Sequence, residues 1–396
     1  MTSTLLPPLF EMISRLVAVP SVSSTLPEWN QGNRAVIDLL AEWCHALGFR
    51  VTVHPVDANA NKWNLIARAG PECPGGLVLS GHSDTVPYDP QRWSSDPFIV
   101  SERGDRWYGL GICDMKAFFA LALQAAEKFL PHLKRPLTLV ATADEESSMA
   151  GIRSLSGTLG RLGDYVLIGE PTGLQPIYAH KGILMEELVI EGQSGHSSEP
   201  ALGRNAIDAM TDALLVMKQV RSGWLTRYRR DDFKVPSATL NFGCLHGGDN
   251  PNRICPACRL HFDVRLMPGM TLSSVRDELQ AALAPVMDEH RVTFALTSLF
   301  KGVAPFAGQK ESRFVQRLEQ LSRRPAGTVA FATEAPFFAE EGLQTLVMGP
   351  GDIAQAHQPD EYLALDRIRP SLEILQQLIR DICVDETLQG EEKEIS

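Results

Sequence analysis

The chain has 396 residues, 44% of them hydrophobic and 21% charged, with a net charge of −11. That composition suits a globular protein of one large or two moderate domains, and the acidic balance argues against nucleic acid or an anionic membrane as its main partner. The seven cysteines are scattered and odd in number, so they read as thiols of a reducing compartment rather than a disulfide framework. No apolar run reaches the roughly 18 residues of a membrane span, and the expectation is a cytoplasmic protein.

In chain order, the opening stretch MTSTLLPPLFEMISRL has its arginine after the apolar residues and no small-residue cleavage site. It predicts an amphipathic helix, not a signal peptide. Asn33 to Leu47 carries apolar residues at helical spacing and stops at Gly48, a good helix-end residue. The stretches LVLSGHSDTV, LTLVATADEE, YVLIGEPTG and TLVMGPGD share one grammar: a short apolar run, a small residue, then a polar or acidic group. Continuous apolar strands alternating with helices predict a mostly parallel sheet buried on both faces. Asp114 precedes MKAFFALALQAAEKFL, where a carboxylate would cap a helix well.

The middle of the chain differs. ILMEELVIEG, SATLNFGCLHGG and CRLHFDVRL tend to alternate apolar and polar residues, as strands exposed on one face do, and Ala206 to Val220 reads as a helix between them. The fold class is therefore α/β, a mostly parallel sheet flanked by helices with a smaller α+β domain inserted at 183–296. The main domain is discontinuous, 1–182 and 297–396. The final ETLQGEEKEIS reads as a frayed acidic tail.

In an open α/β sheet, ligands bind beyond the carboxyl ends of the strands. His82, Glu145, Glu146 and Glu170 follow such strands, His357 lies shortly after another, and Asp114 follows YGLGIC. Mixed histidine and carboxylate donors suit zinc and similar divalent metals. One ion takes three or four protein ligands, so this many candidates suggest two ions sharing a carboxylate. Within DEE, one glutamate can ligate while its neighbour acts as general base. Asp84, two residues after His82, is placed to orient that imidazole. Competing motifs are absent: GQSGH has His196 where G-x-S-x-G needs glycine, and neither H-E-x-x-H nor a phosphate-binding glycine loop occurs. Cys255 and Cys258 form a C-x-x-C with no second pair, which reads as packing.

GHSDTVP, YGLGICDMK, TADEESSMAG, IGEPTG, GQSGHSSEP, HGGDNPNRICPACRLHFDVR and GPGDIAQAHQPDEYL span nearly the whole chain in order. Together they resemble the dinuclear zinc deacylase, aminoacylase and carboxypeptidase family. The resemblance implies a zinc-peptidase-like catalytic domain and two divalent ions per chain, Zn²⁺ or Co²⁺. It implies one ion on His82, Asp114 and Glu170 and the other on Asp114, Glu146 and His357, with Asp114 bridging. It implies Glu145 as general base, Asp84 as orienting carboxylate, His196 as oxyanion donor, and a cis peptide between Asp114 and Met115. Asn252, Arg253 and Arg265 match the substrate-carboxylate region, and Glu334 is a candidate for reading a substrate amine. The inserted domain would serve as lid and homodimer contact.

AHKG, NRIC, TEAPF and AQAHQPDEYL point, within that resemblance, to a branch that removes the acetyl group from Nα-acetyl-L-ornithine in arginine biosynthesis. The alternatives are another N-acyl-amino-acid hydrolase, such as a succinyl-diaminopimelate desuccinylase or an aminoacylase, and, more remotely, a non-catalytic metal-dependent binding protein. Two departures, Cys113 before the bridging aspartate and Ala117 where glycine is expected, remove no ligand.

Overall fold

A computed structural model describes residues 5–57 and 60–388. The chain divides into two compact units, one made of residues 1–178, 308–326 and 337–396, the other of 179–307 and 327–336. Most of the acidic tail, from residue 389, lies outside the described residues, as do residues 1–4 of the opening stretch.

The first unit is built on four parallel neighbours, in spatial order Leu137–Thr142, Leu77–His82, Tyr165–Ile168 and Gln344–Val347. Their registers align His82 with Thr142, Ser80 with Ile168, and Ile168 with Val347, so the four carboxyl ends fall along one edge. Every residue of the first three strands is buried, which is why their sequences are mostly apolar. Lys62–Ala69 extends the sheet antiparallel to Leu137–Thr142, and Arg50–Asp57 pairs antiparallel beyond it.

Helix Ala117–Glu127 is buried almost all round, as expected of a helix that is apolar on every face. Helices Leu9–Val17 and Ile368–Ile379 pack against it. Gly169, just after the Tyr165–Ile168 strand, has no room for a Cβ, which would overlap the ring of Phe118. The predicted cap is different: Asp114 makes no capping bond, and the helix begins at Ala117 after an irregular turn, Ile112–Lys116. Gly111 enters that turn at φ +74°, the left-handed region that glycine adopts without Cβ strain. The Asp114–Met115 peptide is cis.

The second unit holds a four-stranded antiparallel sheet in the order Thr239–Gly247, Ala257–Leu266, Gly182–Glu191, Thr293–Ser298. Burial alternates along Ala257–Leu266 and Gly182–Glu191, matching the alternating sequence. Helices Ala206–Arg227 and Leu272–His290 pack on each other. The second buries Val275, Leu279, Leu283 and Met287 at every fourth residue and starts with a Thr271/Ser274 capping box. Cys255 and Cys258 are buried, and the Cys255 thiol donates to the Ala257 carbonyl at 3.0 Å. Among the described residues no helix is long and apolar enough to cross a membrane.

Candidate metal centre

His82 ends its strand at 1% exposure. Its Nδ1 lies 3.0 Å from the main-chain carbonyl of Asp84. A carbonyl only accepts, so that bond puts the proton on Nδ1 and leaves Nε2 free to act as a ligand. Nε2 faces Asp114 Oδ1 at 3.0 Å. Two residues past Ile168, the buried Glu170 completes a group with His82 and Asp114 whose ligand atoms lie within 4.8 Å of one another. A second group within the same span joins Asp114, Glu146 and His357. There His357 Nε2 lies 3.1 Å from Glu146 Oε1 and 3.6 Å from Asp114 Oδ2. Asp114 thus offers one oxygen to each histidine. His357 adopts φ +60° and Asp144 φ +56°, so the loops after two different strands turn sharply where they approach the cluster.

Asp84 does not hold His82 through its carboxylate as expected: Oδ1 is 3.8 Å from Nδ1, and the carbonyl makes the closer contact. The fully buried carboxylate instead accepts the main-chain N–H of Glu145 at 3.3 Å and of Glu146 at 3.1 Å. The segment carrying both glutamates is therefore tied to the residue that orients His82.

Glu361 went unassigned from sequence, although it lies in the quoted GPGDIAQAHQPDEYL stretch. The Tyr362–Ala364 strand pairs with Arg106–Tyr108 and delivers Glu361 to the turn that carries Asp114. There its buried carboxylate accepts N–H groups from Gly111 at 2.8 Å, Cys113 at 2.7 Å and Asp114 at 3.0 Å. The signal available in the sequence was only a carboxylate four residues after His357. The Cys113 thiol, buried, donates to the Asp352 carbonyl at 3.3 Å, burial pushes its pKa well up, and it belongs to neither of the two ligand groups.

Burial pushes Asp84 up to about 6 and Glu361 up to about 8, with neighbouring carboxylates adding to the rise. Hydrogen bonds to Asp114 and Glu146 push His357 up to about 10. For Asp114 burial acts upward, but its hydrogen bonds with His357 and His82 outweigh it and hold the carboxyl well below the usual range. Several carboxylates thus share a largely buried cluster in which the two histidines are the nearest positive partners. Two divalent cations would offset that negative charge, and hard and borderline donors of this kind suit them. The residues present fit two ions.

The other predicted site residues belong to the second unit. His196, exposed, forms a bridge with Arg253, and the Asn252 carbonyl accepts the Ser197 N–H at 3.1 Å, so His196, Asn252 and Arg253 share one loop cluster. His196 Nδ1 lies 2.7 Å from Ser198 Oγ and 3.2 Å from the Ser198 main-chain nitrogen, so Ser198 engages Nδ1. Arg253 is paired with Asp249, and Arg265 Nε lies 3.2 Å from Asp263 Oδ1. Glu334 is buried at 1% exposure, just before the short helix Ala335–Glu340.

Replacing Asp114 with alanine removes the carboxylate common to both groups. Metal analysis of Asp114→Ala is expected to show loss of both ions, whereas His82→Ala or His357→Ala lowers one preferentially; two ions per chain in Asp114→Ala would contradict sharing.

The sequence profile of Peptidase family M20/M25/M40 matches residues 78–381. The chain is 45% identical over 379 residues to proteins named acetylornithine deacetylase from Salmonella heidelberg and Klebsiella pneumoniae, covering 96% of this chain and 98% of each of theirs. Among solved structures it is similar to aminopeptidase PepT from Bacillus cereus, with TM-score 0.75 and 17% identity over 94% of this chain and 97% of that one. It is also similar to the M20 family metallo-carboxypeptidase Sso-CP2 from Sulfolobus solfataricus, with TM-score 0.73 and 16% identity over 95% and 99% of the two chains. These structures share its fold, and with the profile match and the near full-length relatives they lead to one conclusion: the chain belongs to peptidase family M20/M25/M40.

Proposed function

We propose that this chain is a metal-dependent amidohydrolase that removes the acetyl group from Nα-acetyl-L-ornithine, giving L-ornithine and acetate, the deacetylation step of arginine biosynthesis. The 45% identity to acetylornithine deacetylases along nearly the whole length carries the substrate assignment. The two histidine–carboxylate groups meeting at Asp114 support the metal-dependent chemistry.

His82, Asp114 and Glu170 would hold one ion and Asp114, Glu146 and His357 the other, Zn²⁺ in our reading, with Co²⁺ suited to the same donors. When bound, such ions polarise a carbonyl and bring the pKa of water to about 7. Glu145 takes a proton from the attacking water as the water oxygen bonds to the acetyl carbon. His196 donates its Nε2–H to the carbonyl oxygen as that oxygen becomes anionic. Glu145 then delivers its proton to the leaving nitrogen, the C–N bond breaks, and acetate and ornithine part. Asn252, Arg253 and Arg265 are assigned to the substrate carboxylate, which the planar guanidinium fork suits; a guanidinium doing so would give up its present aspartate. Glu334 is assigned to the δ-ammonium, an acid in a buried setting where a charge-assisted bond counts most.

The inserted residues 183–296 would act as lid and homodimer contact. Supporting this, Thr239–Gly247 is an edge strand with most of its residues exposed, including Leu245 at 53%, and Leu215 on the Ala206–Arg227 helix is 53% exposed. Free strand edges and exposed apolar side chains are common dimer contacts. A cytoplasmic setting completes the proposal.

Acetate release from a panel of Nα-acyl amino acids tests the reading: turnover of acetyl-ornithine, abolished by chelator, is expected. Preference for a succinylated or acetyl-methionine substrate would favour a desuccinylase or aminoacylase instead, and a metal-loaded protein that turns over none would favour a binding protein. Glu145→Gln is expected to lower kcat by about two to four orders of magnitude with metal content unchanged. Collapse of metal content with kcat per bound metal preserved would mean that Glu145 ligates and Glu146 is the base.

His196→Ala is expected to lower kcat by about 10²- to 10³-fold, as for one lost oxyanion donor, with both ions retained. Mixing inactive His196→Ala and Glu145→Gln chains under subunit exchange separates two routes. Restored activity means that His196 serves the partner subunit's site; continued inactivity means that it serves its own.

A further inference from the structure

Lys62 is wholly buried, at 1% exposure, yet it belongs to none of the groups assigned so far. It opens the Lys62–Ala69 strand, which lies beside the strand leading into TADEE. An ammonium withdrawn from water is costly unless it meets a partner of opposite charge. Its Nζ lies 2.5 Å from Asp144 Oδ1, and Asp144 immediately precedes Glu145 in the chain.

Side chains at i and i+2 of a strand point to the same side, and two of them here grip consecutive residues of the loop. Lys62 holds the Asp144 carboxylate, and Asn64 Oδ1 accepts the Ala143 N–H at 3.0 Å. Asn64 is fixed in turn, donating to the Gly151 carbonyl at 2.8 Å and to Ser154 Oγ at 3.0 Å. Asp144 Oδ1 also accepts the Ser23 hydroxyl at 2.8 Å, and Ser23 Oγ lies 2.5 Å from Ser147 Oγ. The Asp144 carbonyl accepts the N–H groups of Ser148 at 3.1 Å and Met149 at 2.7 Å.

The backbone turns at Asp144, at φ +56°, a conformation uncommon outside glycine and favoured by a locally bonded aspartate. That turn sets the directions in which Glu145 and Glu146 leave the loop. Asp84 accepts their main-chain N–H groups, and Lys62 holds the turn just before them.

We propose that Lys62, through its ion pair with the half-buried Asp144, is a positioning residue for the general base Glu145. This rests on the functional reading above and adds to it a residue that neither binds metal nor touches substrate. A purely architectural lysine would lower thermal stability when replaced but leave turnover per folded, metal-loaded chain unchanged. A positioning lysine lowers kcat itself, because a displacement of about 1 Å in a catalytic group can cost 10²-fold.

The test compares wild type, Lys62→Met and the double variant Lys62→Met/Asp144→Asn. Metal content, melting temperature, kcat and KM for acetyl-ornithine are measured on each. Methionine keeps the length of the lysine stem without its charge, and the double variant avoids leaving the half-buried Asp144 carboxylate without its cation if the single variant folds poorly. The expected result is two ions per chain, KM within about threefold, and kcat lowered about 10- to 100-fold in both variants. The two losses should be alike, because both variants remove the same ion pair. Wild-type kcat in either folded variant overturns the proposal, as does a loss that tracks metal content alone. An active wild type beside unaffected variants overturns only the positioning role; a metal-loaded wild type with no turnover overturns the functional reading as well.

Discussion

Carboxylates brought within a few ångströms of one another in a dry site repel unless positive charge joins them, and this site is arranged around that constraint. Asp84, Asp114, Glu146 and Glu170 converge at the carboxyl edge of the parallel sheet with only two imidazoles among the ligand groups. Burial raises the carboxyls of Asp84 and Glu361, with neighbouring carboxylates adding to the rise, and hydrogen bonds to Asp114 and Glu146 raise His357. Asp114 is the pivot because each of its oxygens faces a different histidine. The turn that presents it is held by three N–H groups donated to a single buried glutamate.

Much of this was legible because buried parallel strands leave a plain mark in sequence. Four apolar runs, each followed by a small residue and a donor, predicted both the sheet and the edge where His82, Glu146, Glu170 and His357 meet. The local geometry was less legible. A capping role for Asp114 was reasonable from its place before a helix, but its carboxylate is engaged by two histidines and the chain there is an irregular turn. The i, i+2 spacing suggested that Asp84 reaches His82 through its side chain; strand direction does not say which atom arrives, and the carbonyl does.

Lys62 and Glu361 escaped sequence reading for a different reason. Each owes its role to a partner far along the chain, Asp144 in one case and the Gly111–Asp114 turn in the other. A charged residue at the start of a strand, or after a histidine, most often faces solvent, and only the fold distinguishes the buried exceptions. Glu334 is another such exception, a charged residue buried just before the Ala335–Glu340 helix. In the second unit the alternating strands and the Ala206 helix were readable from periodicity, whereas the contacts of Ser198 with His196 Nδ1 depend on loop geometry.

The claim on which the rest depends is that two ions sit on either side of Asp114. Anomalous diffraction from crystals grown with Zn²⁺, collected above and below the zinc edge, measures this directly. Two peaks per chain about 3.5–4 Å apart are expected, one among His82, Asp114 and Glu170 and the other among Asp114, Glu146 and His357. A single peak at full occupancy, or two peaks of which only one contacts Asp114, would contradict that claim.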